Sequence, residues 1–246
     1  EGTKALMHKL LENGVNYIDT ARGYTVSEEY LGIGLEGIRE HFVLATKSMS
    51  RTAEAMAKDI DISLKNLRTD YIDLYQIHNA PPADVEKVCS PGGALEALTA
   101  AKKAGKIGHI GITAHSLETF RMALELPWVE TIMFPYNIVE DQAKELIHAC
   151  AEKNIGFIAM KPLAGGAIED AVTALRYVCA NPDVTVVIPG MADIAELNQN
   201  LAAVNDSSPL SVEEEAKMRA IRDALGTQFC RRCNYCQPCS AGISIS

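Results

Sequence analysis

The residues of this sequence with the clearest capacity for chemistry stand at or just after the ends of three successive apolar segments. Asp19 and Tyr24 follow the first segment, Lys47 ends the second and His78 ends the third. Taken singly, each has an ordinary structural explanation: a turn cap, an edge aromatic, a lysine with its stem on apolar surface, or a core histidine. Taken together, their regular placement predicts a proton-transfer site.

The four side chains could act together on a carbonyl group. A carbonyl attacked by hydride develops negative charge on oxygen and needs a proton there, which Tyr24 could donate. A free phenol has a pKa of about 10, so we expect the Lys47 cation to lower the Tyr24 pKa, with Asp19 holding the lysine in place. A His78 N–H could orient the carbonyl and share the developing charge. The hydride, in this direction or in alcohol oxidation, requires a nicotinamide, because no side chain carries one.

These residues need a framework that brings strand ends together. Short apolar, β-branched segments alternate with segments of helical periodicity, which indicates parallel strands joined by βαβ crossovers. Strand starts recur about every 25–35 residues, which favours a (β/α)₈ TIM barrel. The active site of such a barrel lies at the C-terminal ends of its strands. The predicted strands are 16–20, 41–47, 71–78, 107–113, 131–137, 155–162 and 184–190, and the predicted helices are 3–13, 28–39, 53–66, 93–104, 117–125, 141–153, 168–179 and 193–203.

The strand count is one short of a closed barrel. Seven strands are predicted and the sequence opens on a helix, so we expect an eighth strand before Glu1. The alternative, a natural seven-stranded barrel, would leave an exposed edge. The barrel is predicted to occupy 1–204. The remainder, 205–246, is predicted to hold a helix at 211–226 that is capped by Ser211, followed by a cysteine-rich segment.

Four cysteines are crowded near the C-terminus in a C-x₂-C-x₂-C-x₂-C pattern. Three thiolates at this spacing suit consecutive corners of a [4Fe–4S] cluster, so an iron–sulfur cluster is the first interpretation. Zinc, which four thiolates also bind, is the second, and a segment without metal is the third. The last cysteine is followed by serine rather than the usual proline, so it could lie outside the cluster of the other three. The cysteines are Cys230, Cys233, Cys236 and Cys239.

The composition argues against several other classes of function. The chain has 246 residues, 48% of them hydrophobic, and a net charge of −9, which disfavours nucleic acid or an anionic membrane as the main partner. No segment approaches the roughly 20 apolar residues of a membrane span, and the first residues mix charged with apolar positions, unlike a signal peptide. Cys89, Cys150 and Cys179 are predicted to be small buried hydrophobes. A reducing cytoplasm is the expected compartment.

One glycine pattern imitates a dinucleotide-binding loop. Gly32, Gly34 and Gly37 match G-x-G-x-x-G, but that fingerprint must follow a strand and open a helix. Here the pattern follows a helix start at Ser27. The glycines are therefore predicted to lie inside a helix, as small residues where it packs closely on the barrel.

The motifs around the four polar residues resemble those of the aldo-keto reductase superfamily. The resemblance runs to about residue 204 and implies a barrel with an N-terminal first strand and a catalytic tetrad at Asp19, Tyr24, Lys47 and His78. A subset of the superfamily carries a ferredoxin-like cysteine segment after the barrel, to which the C-terminal pattern is similar. The matching motifs are Asn16-Tyr-Ile-Asp-Thr-Ala-x-x-Tyr24, Ala45-Thr-Lys47, Asp73-Leu-Tyr-Gln-Ile-His78 and Gly105-Lys-Ile-Gly-x-Ile-Gly111.

The resemblance implies a nicotinamide cofactor, NAD(H) or NADP(H), although several family positions differ here. The family's Ser-Asn pair is replaced by Thr113-Ala114, so the hydroxyl remains and the amide is lost. A glutamine is expected near Met133 and a stacking aromatic at Met160, whose thioether can still pack on a ring face. The segment 161–166 fits the loop around the pyrophosphate, since its glycines let backbone N–H groups approach phosphate. Its candidate contacts are Lys161, Leu163 and Gly165.

The adenosine end of the expected site favours NAD(H) over NADP(H). Where the family often has a Lys-Ser pair and a later arginine that grips the 2′-phosphate, this chain has Gly190-Met191 and Glu196. Glu196 would repel a phosphate and could accept a hydrogen bond from a free ribose hydroxyl. Asn200 matches a family position that contacts adenine.

Two functional hypotheses follow. The first is an enzyme that reduces an aldehyde or ketone, or oxidises the corresponding alcohol. The second is a nucleotide-binding regulatory or electron-transfer subunit, in which the cysteine segment exchanges electrons with a partner protein. A phosphate-sugar barrel enzyme is a weaker alternative, because the sequence offers it no convincing metal or Schiff-base arrangement. Specificity in this fold comes from loops at the barrel mouth, of which 78–93 is the longest.

Overall fold

The computed structural model describes residues 2–226, which form a nearly closed barrel of seven parallel strands. The strands pair in chain order, and the first and last of them are the two edges of the described sheet, which approach each other without pairing. Each predicted strand is confirmed, with small differences at its ends. An eighth strand before Glu1 would lie outside the described residues and stays a prediction. The strands are β1 (Tyr17–Asp19), β2 (Val43–Ser48), β3 (Ile72–Ile77), β4 (Ile107–Thr113), β5 (Thr131–Pro135), β6 (Gly156–Met160) and β7 (Val186–Ile188).

Helices cover the outside of the barrel, as the alternating pattern predicts. One of them, Pro82–Cys89, was predicted as a loop. It begins at a proline, is followed by glycines and has only two buried apolar residues, Val85 and Val88, so its helical pattern is weak in the sequence. The predicted helix 28–39 ends early, at Gly34. The helices are α1 (Gly2–Glu12), α2 (Ser27–Gly34), α3 (Ala53–Asn66), α4 (Pro82–Cys89), α5 (Ala94–Lys103), α6 (Leu117–Leu124), α7 (Lys144–Glu152), α8 (Ala171–Cys179), α9 (Ile194–Val204) and α10 (Val212–Leu225).

Successive strand residues alternate between the barrel interior and the helical layer. On β2, Ala45 packs inside with Leu74, Met133 and Ile158, whereas Leu44 belongs to the core between strands and helices. Both faces are therefore apolar over most of each strand, which stabilises the barrel by removing apolar surface from water. The same alternation places the polar residues at the inner C-terminal ends of β2 and β3 at the mouth.

Two glycines of the G-x-G-x-x-G pattern serve helix packing. Gly32 and Gly34 lie in α2, as predicted, whereas Gly37 follows the helix with a φ of 82°, so the prediction was wrong for Gly37. A Cβ on Gly32 would stand 2.2 Å from the carbonyl oxygen of Asn66, and one on Gly34 would stand 3.0 Å from the Thr3 side chain. The close neighbours are thus the helices α3 and α1 rather than the barrel strands, which corrects the predicted partner of this contact.

The helix α10 lies against the loops at one side of the barrel mouth. Ser211 caps it as predicted, in a reciprocal capping box with Glu214. Its apolar face, which includes the buried Met218, packs in one cluster with Ile138 and Leu163. The end of α10 therefore lies near the loop that follows β6.

The cysteines of the described residues divide by exposure. Cys150 is buried in α7, as predicted. Cys89 and Cys179 are exposed, so that prediction was wrong for both: each is the last residue of its helix and faces water there. The predicted metal ligands, from 230 to 239, lie outside the described residues. Within residues 2–226, no helix is long and apolar enough to cross a membrane.

Candidate active site

A cleft of about 1240 Å³ opens at the C-terminal ends of the strands and extends between α1 and α9. Its lining includes every predicted catalytic and cofactor-binding residue within the described part of the chain. Distant positions in the sequence thus meet at one mouth, as barrel geometry requires. These residues are Asp19, Tyr24, Lys47, His78, Thr113, Met160, Lys161, Leu163, Gly165, Gly190, Glu196 and Asn200.

The base of the cleft holds a buried ion pair between β1 and β2. The Lys47 ammonium donates to the Asp19 carboxylate and to the Thr20 carbonyl oxygen, the latter at 2.8 Å. Gln76, fully buried on β3, donates to the other Asp19 oxygen at 3.4 Å. Burial raises the pKa of Asp19 above its usual value, and the Lys47 charge acts in the opposite direction. The lysine is thus fixed in position by two acceptors.

Tyr24 lies in the loop after β1, directly above this pair. The Lys47 ammonium stands 4.8 Å from the centre of the Tyr24 ring, a cation–π distance. Burial and the Asp19 carboxylate raise the pKa of Tyr24 to about 12. The predicted net lowering of this pKa was therefore wrong: burial and the Asp19 carboxylate outweigh the Lys47 cation, which faces the ring. The phenol keeps its proton at neutral pH.

His78 faces Tyr24 from the end of β3. The two rings meet edge to face, with centroids 5.9 Å apart and an interplanar angle of 87°. Burial, together with the nearby charges of Lys47, Arg51 and His115, lowers the pKa of His78 to about 3. A neutral imidazole carries one N–H, so His78 can donate a hydrogen bond without bringing a charge into the cleft.

A buried carboxylate, absent from the sequence-based predictions, supports the loop that carries Tyr24. Glu28, 2% exposed, accepts from Arg22 at 2.7 Å, from Thr46 at 2.9 Å and from the Ser63 hydroxyl at 2.7 Å. It thereby ties the β1–α2 loop to β2 and α3. In the sequence Glu28 is one of two acids in the first turn of a helix, a common pattern that gives no sign of burial.

Two further residues also escaped the sequence analysis: Gln76, a buried partner of Asp19, and His115 of the cleft lining. Gln76 precedes His78 by two positions, so the period of a strand could have placed it on the same inner face. His115 follows β4 and lines the cleft. It follows Thr113 by two positions, so the two-residue period of a strand could have placed it on the inner face as well.

The loop after β6 is a tight turn that contains two glycines. Lys161 and Ala164 have φ values of 55° and 51°, and Gly165 and Gly166 have φ values of 70° and 88°. The Ala164 and Gly166 N–H groups close the turn on the carbonyl oxygens of Lys161 and Leu163, and the glycines let an anion approach the backbone closely. Asn137, fully buried after β5, donates to the Lys161 carbonyl oxygen at 3.0 Å and so holds the loop in place. The residues present fit a phosphate-bearing cofactor.

The far end of the cleft is formed by β7 and α9. Glu196 accepts from the Ala192 N–H at 2.6 Å, while Asp193 caps the helix by accepting from the Glu196 N–H at 2.9 Å. The carboxylate expected to face ribose therefore also secures the start of α9. Among the described residues, this part of the lining, from 187 to 204, contains acidic Glu196 and buried Asn200 but no lysine or arginine.

The arrangement combines a protonated phenol, a buried ammonium and a neutral imidazole at one mouth, beside a glycine-containing loop suited to phosphate. The model of the Aldo/keto reductase family matches residues 1–174 of this sequence. The chain belongs to the aldo/keto reductase family. As a member, it is an NAD(P)(H)-dependent oxidoreductase of the aldo-keto reductase type.

Individual relatives agree with the family assignment. The chain is 26% identical over 258 aligned positions to L-galactose dehydrogenase of Arabidopsis thaliana, covering 86% of this chain and 80% of that protein. It is 35% identical to aldo-keto reductase YhdN of Bacillus subtilis over 58% of this chain and 46% of that protein. The structure of aldo-keto reductase AKR11C1 from Bacillus halodurans in its holo form superposes with a TM-score of 0.76 at 25% identity, covering 89% of this chain and 86% of that one.

Proposed function

We propose that this aldo-keto reductase reduces an aldehyde or ketone to an alcohol, or runs the reverse oxidation, with Tyr24 as the general acid. The observation that carries the proposal is the meeting of Tyr24, Lys47 and His78 around one cleft, with the Lys47 ammonium 4.8 Å from the tyrosine ring centre. The two-electron reductant, a hydride, is supplied by the nicotinamide when it is bound. Lys161, Leu163 and Gly165 would hold its phosphates.

The residues of the chain account for the proton in this reaction. As the carbonyl carbon gains a C–H bond, its oxygen gains negative charge and takes the Tyr24 proton. The neutral His78 donates a hydrogen bond to the same oxygen and stabilises the charge as it develops. The tyrosinate that remains is stabilised by the Lys47 ammonium, which Asp19 keeps in place. Solvent returns the proton to Tyr24.

We also propose a preference for NAD(H) over NADP(H). Glu196 is the charged residue at the end of the described lining where a 2′-phosphate would lie, and like charges repel. In a fluorescence titration, NADH should bind more tightly than NADPH. Glu196→Gln keeps an oxygen for the Ala192 N–H and removes the charge, so it should tighten NADPH binding about five- to tenfold and leave NADH binding nearly unchanged.

The control for this titration is Glu213→Gln, which removes an exposed carboxylate of α10 that does not line the cleft. It should change neither affinity. Tighter binding of NADPH than NADH by the unmodified protein would keep the oxidoreductase and reject the cofactor preference. Binding of neither would reject the reductase proposal itself.

For the C-terminal segment we propose a [4Fe–4S] cluster held by cysteines of the set 230–239, in a reducing cytoplasm. The support is the C-x₂-C-x₂-C-x₂-C spacing, and α10 brings the chain to Gly226 beside the loop of Leu163. Anaerobically purified protein should be brown and contain iron and acid-labile sulfide. If the protein contains zinc and no sulfide, the segment holds a structural zinc site instead of the cluster. If it contains neither iron nor zinc, the cysteines do not bind metal.

The cysteine segment favours a second candidate function, a regulatory or electron-transfer subunit that exchanges electrons with another protein. Deletion of 227–246 separates the two candidates. Carbonyl reduction that survives this deletion at its original rate supports a reductase that works without the segment. Loss of turnover with intact NADH binding supports the electron-transfer role.

A further inference from the structure

Arg51, in the loop after β2, binds the chain immediately after the catalytic candidate His78. Its Nη2 donates to the carbonyl oxygens of His78 and Asn79, at 2.7 and 3.1 Å. Its Nε donates to Asp84 on α4 at 2.8 Å, in an ion pair whose arginine side chain is 8% exposed. One guanidinium thus joins the loop after β2, the end of β3 and α4.

The turn that Arg51 grips needs outside support. Asn79 has a φ of 48°, a left-handed conformation that side-chain-bearing residues adopt at a cost. Its N–H donates to the Thr113 hydroxyl of β4 at 2.8 Å, and the His78 N–H donates to the Ser48 carbonyl of β2 at 2.9 Å. These bonds fix the amide groups, whereas Arg51 fixes the two carbonyl groups. The direction in which the His78 ring leaves the backbone depends on both.

We infer that Arg51 is a positioning residue for His78: it holds the two peptide groups after the imidazole so that the ring faces Tyr24 and the carbonyl oxygen of the substrate. The inference rests on the proposed function, because it gives a purpose to the orientation of His78. Arg51 acts through His78 and does not line the cleft. Its fork of donors suits two carbonyl groups and a carboxylate at once, which an ammonium does not.

The charge of Arg51 has a second effect on the same ring. The groups that face His78 are Tyr24 from the loop after β1, Lys47 on β2, Arg51 and His115 after β4. Asp19 pairs with Lys47, and Asp84 pairs with Arg51. Positive charge disfavours protonation of an imidazole, so Arg51 helps to keep His78 neutral.

The chain contains a matched arginine at the opposite end of the same two strands. Arg39 donates to the carbonyl oxygens of Phe42 and Tyr71, at 2.7 and 2.9 Å, and to the Asp73 carboxylate at 2.7 Å. It binds two carbonyl groups and one carboxylate, as Arg51 does, but at the N-terminal ends of β2 and β3. Substitution of Arg39 therefore shows how much turnover is lost when a comparable set of arginine hydrogen bonds is removed away from the cleft.

The experiment compares Arg51→Gln, Arg51→Lys and Arg39→Gln in the full chain, with para-nitrobenzaldehyde and NADH as probes. Arg51→Gln should lower kcat about ten- to hundredfold and change the NADH Kd less than twofold, whereas Arg39→Gln should leave kcat near that of the unmodified protein. Arg51→Lys keeps the charge and loses the fork, so its kcat should fall between the two.

A second measurement needs no cofactor. The ring signals of His78 are assigned in an NMR spectrum by comparison with His78→Gln and followed through a pH titration. Removal of the Arg51 charge should raise the His78 pKa from its value of about 3, while Arg51→Lys and Arg39→Gln should leave it in place. Folding of each variant is verified by circular dichroism. If Arg51→Gln does not fold, the kcat of Arg51→Lys decides the positioning role: a kcat equal to that of Arg39→Gln overturns it.

The outcomes separate this inference from the proposed function. Equal kcat for Arg51→Gln and Arg39→Gln, or an unchanged His78 titration in Arg51→Gln, would overturn the positioning role. An unmodified protein that neither binds NADH nor reduces the aldehyde would overturn the proposed function, and the NMR titration would still decide whether Arg51 governs the state of His78.

Discussion

Tyr24→Phe should abolish carbonyl reduction and leave NADH binding nearly unchanged. The substitution removes one hydroxyl and keeps the ring that packs edge to face on His78 and lies near Lys47. Without the phenol, the carbonyl oxygen would gain charge with no proton donor in reach, a loss of about 10²- to 10⁴-fold for general acid catalysis. Steady-state kcat and the NADH Kd are the two measurements.

Tyr30→Phe is the matched control for this prediction. Tyr30, on α2 and six positions after Tyr24, also lines the cleft and is 56% exposed, and its hydroxyl has no assigned role. It should retain full turnover. Normal turnover in Tyr24→Phe would remove Tyr24 from the mechanism, and a large loss of NADH affinity would show that the tyrosine serves binding rather than proton transfer.

Lys47→Met should unfold much more readily and have no measurable turnover. The lysine is 2% exposed and its partner Asp19 is 9% exposed, so the substitution leaves a buried carboxylate without its cation. Breaking such a pair costs about 3–5 kcal/mol of stability. It also removes the cation that stabilises the tyrosinate. Urea unfolding followed by circular dichroism measures the first effect, and NADH-dependent turnover measures the second.

The pH dependence of this loss has a definite sign. Burial raises the pKa of Asp19, and Lys47 opposes that rise, so Lys47→Met should raise it further. A carboxyl whose pKa is raised on folding destabilises the folded protein at every pH above its pKa in the unfolded chain, which is about 4. The deficit relative to the unmodified protein should therefore be small in acid and grow as the pH rises through the folded pKa.

A double substitution tests the cause of the instability. Asp19→Asn combined with Lys47→Met removes both charges, so it should recover a large part of the lost stability while turnover remains absent. Lys102→Met breaks an exposed pair with Glu130 and should cost less than about 1 kcal/mol. If Lys47→Met is no less stable than Lys102→Met, the buried pair does not contribute as argued.

The sequence predicts the barrel and the residues of the site better than it predicts the pKa values of those residues. Strand ends are visible because apolar segments stop at polar residues, and parallel pairing then forces Lys47 and His78 to one mouth. The direction of the Tyr24 pKa shift could not be predicted from the sequence. It depends on how deeply the phenol is buried, on whether Lys47 faces the ring or the hydroxyl, and on the position of the Asp19 carboxylate.

Supporting residues are harder to predict than the residues they support. Glu28 and Arg51 are charged residues in a helix start and a loop, positions where most charges face water. Their burial depends on distant partners, 18 to 38 positions away for Glu28 and 27 to 33 positions away for Arg51. The short helix α4 was missed for a related reason: its apolar face consists of Val85 and Val88 only, and packing against α5 and α6 supplies the rest of its stability.

The Glu28 contacts also limit how the mouth of the barrel can move. For the loop of Tyr24 to swing outward, the Arg22 bond to a carboxylate that is 2% exposed must break, leaving that charge with fewer donors in a dry environment. A loop so anchored is a poor lid. Substrate entry and product release therefore belong to other segments around the mouth, and the timing of turnover should not depend on opening and closing at Tyr24.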